Sequence, residues 1–414
     1  MLANFHGVLK RAKFYRAVPA TDHIGNGELD STSSYSSAVY ESMNADTARM
    51  SAYRAAIQYV VNALHGPQVW LEIGPGECCT MTKMVCEAAD AAGREVCIVS
   101  VEANGPAFLA ATRTVARLNA SHHYATTHCI RGYSSDHEVE TLLREKAPFD
   151  VVISEILGAF AGSEAIAHTI ATAKRAGIIS PRTRLVPRFS ATLVRPVEFD
   201  THVGIGNVMG NVLYDPLNPT LTYMSPSLAR LVVSRDRLTS EPALLEFYDF
   251  ARDDVDAPQQ HETRLVAVRS ATIRYLMAWM WCDLGVGDIP CLERMTRRQR
   301  MGMSSYHHTT GVGFQESMQL RDEMCKAGAP TESISFTSCP FGLSNRATNW
   351  HVPLLCLSTP LVAECGDILY IRACADVSGV CPSYTVAIEN MRTRQRALVE
   401  APYATLRPTY TAEC

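Results

Sequence analysis

The sequence predicts an open α/β sheet followed by a second unit of antiparallel β-strands, an α/β + β chain. From Gln68, short apolar runs alternate with helical stretches: "VWLEI", "TMTKMVCEAADAAG", "EVCIVSVE", "AFLAATRTVARLNA", "FDVVISE", then a helix through Lys174. Strands and helices alternating at that spacing call for parallel strands joined by crossover connections. After Pro187 the runs "RFSATLVRPVEF", "RLVAVRSATIRYLMAWMWC", "SISFTSC", "WHVPLLCLS", "GDILYIRACADV" and "YTVAIEN" follow one another without helices between them, so an antiparallel sandwich or barrel is expected. At 414 residues the chain is too long for one ordinary core, in keeping with two or three units.

The units follow in order. Residues 1–66 form an N-terminal segment in which 20–38 is small, polar and flexible, and a helix is expected from about Ser42 to Ala63, where Met43, Met50, Tyr53, Ile57 and Val60 recur at three- and four-residue intervals. Residues 67–187 form the α/β unit and 188–414 the β unit. Two stretches interrupt the latter, about 201–240, rich in Pro, Asn and Leu, and about 286–333, polar, with the basic cluster "RMTRRQR". A run that short reads as a solvated face rather than a nucleic-acid site.

Composition narrows the class. Hydrophobic residues make up 47% and charged residues 19%, a globular balance, and a net charge of -4 gives no basic field for a nucleic acid backbone. No direct nucleic-acid binding is expected. The fourteen cysteines are scattered, without paired CxxC motifs or an export signal, and read as reduced thiols of an intracellular protein of the cytoplasm, with the nucleus as a second compartment. No apolar stretch reaches the roughly 18 residues of a membrane span, so no membrane partner is expected. The start, "MLANFHGVLKRAKFYRA", is amphipathic and basic like a transit peptide, though an ordinary surface segment is the favoured reading.

Chemistry gathers at the strand ends. In "VWLEIGPGE" a strand runs into Gly74 and Gly76, which permit a tight turn and close backbone approach to a ligand. Glu102 ends the next strand, where a carboxylate can accept from both ribose hydroxyls. Together they indicate an adenosine-containing cofactor. The fingerprints leave its identity open, since a dinucleotide pattern wants a glycine at position 79 and an S-adenosylmethionine pattern one at 78, and both are cysteines. The loop "SEILGAFAGSE" then sets Glu155 and Glu164 nine positions apart just past a third apolar strand. Two converging carboxylates suit a planar guanidinium, one on each side of the fork.

That loop resembles the double-glutamate loop of the protein arginine methyltransferases. Three further motifs follow that family's order. "MNADTARMSAYR" resembles its cofactor-covering helix at Met43, Asp46, Arg49, Tyr53 and Arg54; "ATNWHVPLL" resembles its Thr-His-Trp loop at Thr348, Asn349 and Trp350; and "STPLVAECGD" is family-like. The similarity runs from about Tyr35 to the C-terminus and is weakest between 200 and 335.

The resemblance implies a Rossmann-like S-adenosylmethionine methyltransferase domain followed by an antiparallel β-barrel with a dimerisation arm at about 201–240. It implies S-adenosyl-L-methionine as cofactor, S-adenosyl-L-homocysteine as its product, and a homodimer. Tyr40, Met43, Arg49, Glu72, Gly74, Gly76, Glu102, Ala103, Ser134, Ser135 and Glu155 would contact the cofactor, with Arg49 on its methionine carboxylate and Ser134 and Ser135 beside the adenine. Glu155 and Glu164 would be the catalytic pair, while Met43, Asp46, Asn349 and Trp350 would line the substrate arginine. Substrates would be arginine-containing proteins, histone-like or Gly-Arg-rich RNA-binding ones. For Arg49 and Trp350 the bland alternatives are a helical pair with Asp46 and plain core packing.

Departures from the family pattern bear on product. Met43 disfavours symmetric dimethylation (type II), where phenylalanine stands; Asn349 replaces the histidine usual in asymmetric dimethylation (type I), and Leu157 a second methionine. Tyr40, three before Met43, is closest to the monomethylating type III branch, the protein arginine methyltransferase seven group in its single-module trypanosomatid form. Two rivals stand beside this reading. A methyltransferase for small molecules or nucleic acids would leave the paired glutamates idle, and a catalytically weak scaffold for RNA-associated proteins would suit Cys78 and Asn349.

Overall fold

The computed structural model describes residues 15–16, 37–198, 213–215, 218–233, 237–285, 317–328, 334–341, 350–401 and 409–410. Strand β1 (Tyr15–Arg16) pairs antiparallel with the last, β18 (Thr409–Tyr410).

The region expected as one helix from Ser42 is two, α1 (Ser37–Asn44) and α2 (Thr47–Ala63). Asp46 causes the break. Its side chain accepts from the Arg49 backbone N–H at 3.1 Å and caps α2, and a capping residue leaves the helical conformation.

The α/β unit then runs β2 (Gln68–Ile73), α3 (Thr80–Ala92), β3 (Val96–Glu102), α4 (Gly105–Ser121), β4 (Ala125–Arg131), α5 (His137–Lys146), β5 (Val151–Ser154), α6 (Ile166–Arg175) and β6 (Arg184–Val186). The strands lie in the order β4-β3-β2-β5-β6, all parallel. Chain order reverses on the two sides of β2, so the crevice beyond the carboxyl ends of β2, β3 and β5 is where such a sheet takes ligands. The central strands are apolar because helices cover both faces: Trp70, Leu71, Ile98, Val151 and Ile153 are fully buried. Edge strand β4 is half-exposed, and its sequence "ATTHCIR" carries no apolar run.

The β unit is built on two antiparallel sheets. One contains β7 (Phe189–Val197), β8 (Leu213–Asp215), β9 (Asn218–Met224), β10 (Ala243–Asp249), β12 (Ala271–Asp283) and β14 (Val352–Ala363) in the order β10-β7-β12-β14-β9-β8, with β13 (Ser335–Thr337) on β12. The other orders β11 (Gln259–Val266), β15 (Ile368–Asp376), β16 (Ser383–Asn390) and β17 (Arg396–Ala401) in sequence. Alternate residues Leu369, Ile371 and Ala373 pack with Val386 and Ile388 into the common core, as period-two strands with one buried face require. This is the barrel-like layer expected after Pro187.

The arm expected at about 201–240 is described only in part. Of 201–240, strand β9 and helix α7 (Pro226–Val232) belong to the barrel, with Leu228, Ala229 and Val232 buried. Residues 201–212, 216–217 and 234–236 lie outside the described residues. Within 286–333, helix α8 (Met318–Lys326) seats Leu320 and Met324 on the barrel. The basic cluster 294–300 lies outside the described residues.

Candidate active site

Strand β2 delivers Gly74 and Gly76 with φ of +77° and +63°, the left-handed region that favours glycine. Space enforces the choice at Gly76. A Cβ there would stand 2.7 Å from the Tyr40 ring, so α1 lies directly over the loop. Asn44 at the end of α1 accepts from Thr80 Oγ1 at 2.8 Å, a second tie between the same helix and the start of α3.

Glu102 is 6% exposed at the end of β3. Its Oε2 accepts from the Gly76 N–H at 2.9 Å and its Oε1 from the Asn104 N–H at 2.8 Å. Burial pushes its pKa up, and the N–H groups of Asn104, Gly76 and Ala103 oppose the rise. The carboxylate therefore shapes the glycine loop itself, and the remaining lone pairs of its oxygens are what a ribose would use. Ser134 and Ser135 lie in the turn between β4 and α5, at the same end of the sheet. Glu72 sits deeper, 2% exposed, with its Oε2 accepting from Thr82 and from Ser100 at 3.2 Å. Burial pushes its pKa up to about 7.

The double-glutamate loop begins where β5 ends. Tyr53 of α2 donates to the Ser154 carbonyl at 3.0 Å and ties that helix to the strand's last residue. Glu155, next in the chain, has a side chain 7% exposed, and its Oε2 accepts from Arg49 Nη1 at 2.7 Å. Arg49 Nη2 donates to the Met43 carbonyl, and its Cζ lies 5.1 Å from the Trp350 ring centroid. Asp46 thus serves the Arg49 backbone while the guanidinium goes to Glu155, which sets aside the plain helical pair. Glu155 Oε1 and Arg49 Nε are buried with no hydrogen-bond partner among the described residues. Burial pushes the Glu155 pKa up to about 7 against the pull of Arg49.

The loop then folds on itself. A Cβ at Gly158 would fall 1.8 Å from Ser163 Oγ and 3.3 Å from Glu164 Cγ, so the absence of a side chain lets the two glutamates' segments close. Tyr40 links the halves of the site. Burial raises its phenol pKa first, then the charges of Glu102, Glu77 and Glu164. The structure therefore brings Tyr40, Met43, Asp46, Arg49, Gly74, Gly76, Glu102, Glu155, Glu164 and Trp350 to one end of the parallel sheet. Asn349 and Thr348 lie outside the described residues.

Some participants were not singled out from the sequence. Asn104 caps α4 by accepting from the Ala107 N–H at 3.2 Å and also hydrogen-bonds Tyr40. Its signal was an Asn just before a Gly-Pro helix start. Glu246, one of two acids in "ALLEFYDF", reaches the double-glutamate loop from the barrel. Among the described residues no group of His, Cys, Asp and Glu could hold a metal ion, and no helix is long and apolar enough to cross a membrane.

No protein-family model matches the sequence, and no curated protein does. Among solved structures, the chain is similar to Arabidopsis thaliana protein arginine methyltransferase 10, described as uniquely open in conformation: TM-score 0.58 and 14% identity, over 89% of this chain and 98% of that one. It is also similar to the Trypanosoma brucei protein arginine methyltransferase 1 enzyme-prozyme heterotetrameric complex with AdoHcy: TM-score 0.51 and 15% identity, over 86% of this chain and 96% of that one. At these identities the likeness shows the fold, a Rossmann-like parallel sheet followed by an antiparallel β-barrel, as the sequence predicts.

Proposed function

We propose that this chain is an S-adenosylmethionine-dependent protein arginine N-methyltransferase, of the type that stops at omega-N-monomethylarginine. One observation carries the reading: a buried carboxylate, Glu155, already holds a guanidinium at 2.7 Å beside Trp350, at the carboxyl end of a parallel sheet, and its Oε1 has no side-chain partner among the described residues. The site has the chemistry to receive an arginine. The printed names of its structural neighbours, arginine methyltransferases, one of them in complex with AdoHcy, support the same assignment.

The residues fit the cofactor. Gly74 and Gly76 clear the backbone, Glu102 offers acceptors, and Arg49 carries a buried Nε with no partner among the described residues. Bound there, S-adenosylmethionine supplies an electrophilic methyl on a sulfonium. A guanidinium keeps its proton up to about pH 12, and its lone pairs are delocalised. Glu155 and Glu164 therefore have to grip the two edges of the substrate fork, draw positive charge toward themselves and leave one terminal nitrogen to attack. With its pKa near 7, Glu155 is also suited to take the proton that nitrogen sheds.

Monomethylation rests on Tyr40 three residues before Met43, the pattern closest to the type III branch, on Asn349 in place of a histidine and on buried Leu157 in place of a methionine. Substrates would be histone-like or Gly-Arg-rich RNA-binding proteins. A homodimer is the expected assembly, and a monomer at micromolar concentration in sedimentation would count against it. A reducing compartment, the cytoplasm or nucleus, is the expected location, as the fourteen scattered cysteines without paired CxxC motifs suggest.

The test is amino-acid analysis after incubation with S-adenosylmethionine and an arginine-rich peptide, with Glu155→Gln as control. Monomethylarginine alone, lost in the control, supports both the reaction and its type. Dimethylarginine keeps the enzyme and overturns the type, while cofactor binding without methylation favours a scaffold.

A further inference from the structure

The barrel holds a buried acid that the chemistry above does not use. Glu246 on β10 is 0% exposed, and both its oxygens are saturated. Oε1 accepts from the Gly162 backbone N–H at 3.1 Å and from Thr192 Oγ1 at 2.5 Å; Oε2 accepts from the hydroxyls of Tyr248 at 2.5 Å and Tyr384 at 2.9 Å. Thr192 Oγ1 in turn accepts from the Ala161 N–H at 2.8 Å. Two consecutive amides of the double-glutamate loop are therefore paired with the barrel.

Sequence and backbone both serve this arrangement. Glu246 and Thr192 are register partners on β10 and β7, and a register shift between Leu244 and Glu246 re-aims the strand at that point. Gly162 has to be glycine, since a Cβ there would fall 2.1 Å from Tyr248 Oη. Phe160 stacks on Tyr384 with ring centroids 4.9 Å apart. From these anchors the chain turns twice: Ser163 N donates to the Phe160 carbonyl at 3.1 Å and Ala165 N to the Gly162 carbonyl at 2.9 Å. Glu164 lies inside the second turn.

We infer that Glu246 is a positioning residue, which sets the backbone of Glu164 by holding the Ala161 and Gly162 amides through its own carboxylate and Thr192. A buried carboxylate is costly unless fully hydrogen-bonded, and here the donors that satisfy it are drawn from the loop and three barrel strands. Its effect on turnover rests on the proposed methyltransferase reading; its effect on the loop does not.

Amide hydrogen exchange of a peptide covering 155–165 tests it in the full-length protein, alongside S-adenosylhomocysteine affinity and methylation kinetics. Thr192→Val removes the bridging hydroxyl at nearly constant volume, so it keeps the fold even if Glu246→Ala loses it. Exchange in 155–165 is expected to rise at least about tenfold in Thr192→Val, with barrel peptides such as 369–376 and homocysteine-product affinity unchanged, and with kcat falling more than KM rises. Glu246→Gln, whose amide can still accept from Gly162 and donate to the tyrosines, is expected to restore most of the protection lost in Glu246→Ala. Unchanged exchange at 155–165, or equal increases over the whole barrel, would overturn the inference. If the wild type methylates nothing, the exchange result still decides the loop anchoring and only the kinetic arm falls with the enzyme reading.

Discussion

Arg49 and Glu155 stand 106 residues apart in sequence and meet at 2.7 Å with both side chains nearly excluded from solvent. Burial pushes the Glu155 pKa up to about 7, and the Arg49 guanidinium beside it opposes the rise. The pair joins the covering helix α2 to the loop after β5, so the position of one side of the site depends on the other.

Breaking the pair from one side should be costly. Arg49→Ala strands a buried carboxylate, a change that typically costs about 3–5 kcal/mol. The double variant Arg49→Ala/Glu155→Gln should recover part of that loss, because no unpaired charge remains. Denaturant unfolding of the four proteins in the cycle measures the coupling, and strictly additive losses would show that the pair contributes nothing.

A pH dependence follows from Glu72. Its pKa rises from 4.5 to about 7 on burial, so the folded chain binds this proton more tightly than the unfolded chain. Stability from this group is then fully present below about 4.5 and declines as pH climbs to about 7, by roughly 3 kcal/mol in all. Glu155, raised in the same direction, adds to the decline. Glu72→Gln should flatten the fall in Tm across that window without abolishing it, and thermal melts at its two ends check this.

Gly76→Ala should weaken cofactor binding by about tenfold or more, since a positive φ costs an L-residue roughly 1–2 kcal/mol and the new methyl meets the Tyr40 ring. Adding Tyr40→Ala should return the steric share and leave the backbone share. Calorimetric titration with S-adenosylhomocysteine separates the two.

Gly158→Ala places a methyl 1.8 Å from Ser163 Oγ, and the loop has to open to admit it. Activity should fall at least about tenfold with cofactor affinity intact. Ser163→Gly in the same chain should restore much of it. Failure of that rescue would mean the loop's closure is not set by this contact.

Much of this arrangement was legible beforehand because the central strands are buried on both faces and read as apolar runs. Edge strand β4 was not, since its outer residues His128 and Arg131 face water and dilute the pattern. The break between α1 and α2 was missed for a different reason: the apolar spacing continues across Asp46, and only its capping bond to Arg49 shows that the helix restarts. Glu155 and Glu164 were visible as a spacing, but the Arg49 partner and the Trp350 ring are long-range contacts that no local pattern contains. Glu246 was hidden most thoroughly, an acid whose meaning depends on hydroxyls from Thr192, Tyr248 and Tyr384 on three strands.

Those hydroxyls bear on how the chain can be dissected. The change of character at Pro187 looks like a seam at which a cofactor-binding module could be excised or exchanged for another. Cut there, the amides of Ala161 and Gly162 lose Thr192 and Glu246 while Phe160, fully buried in the intact chain, loses Tyr384. The seam divides topologies, not energies, so the two halves would have to be transplanted together.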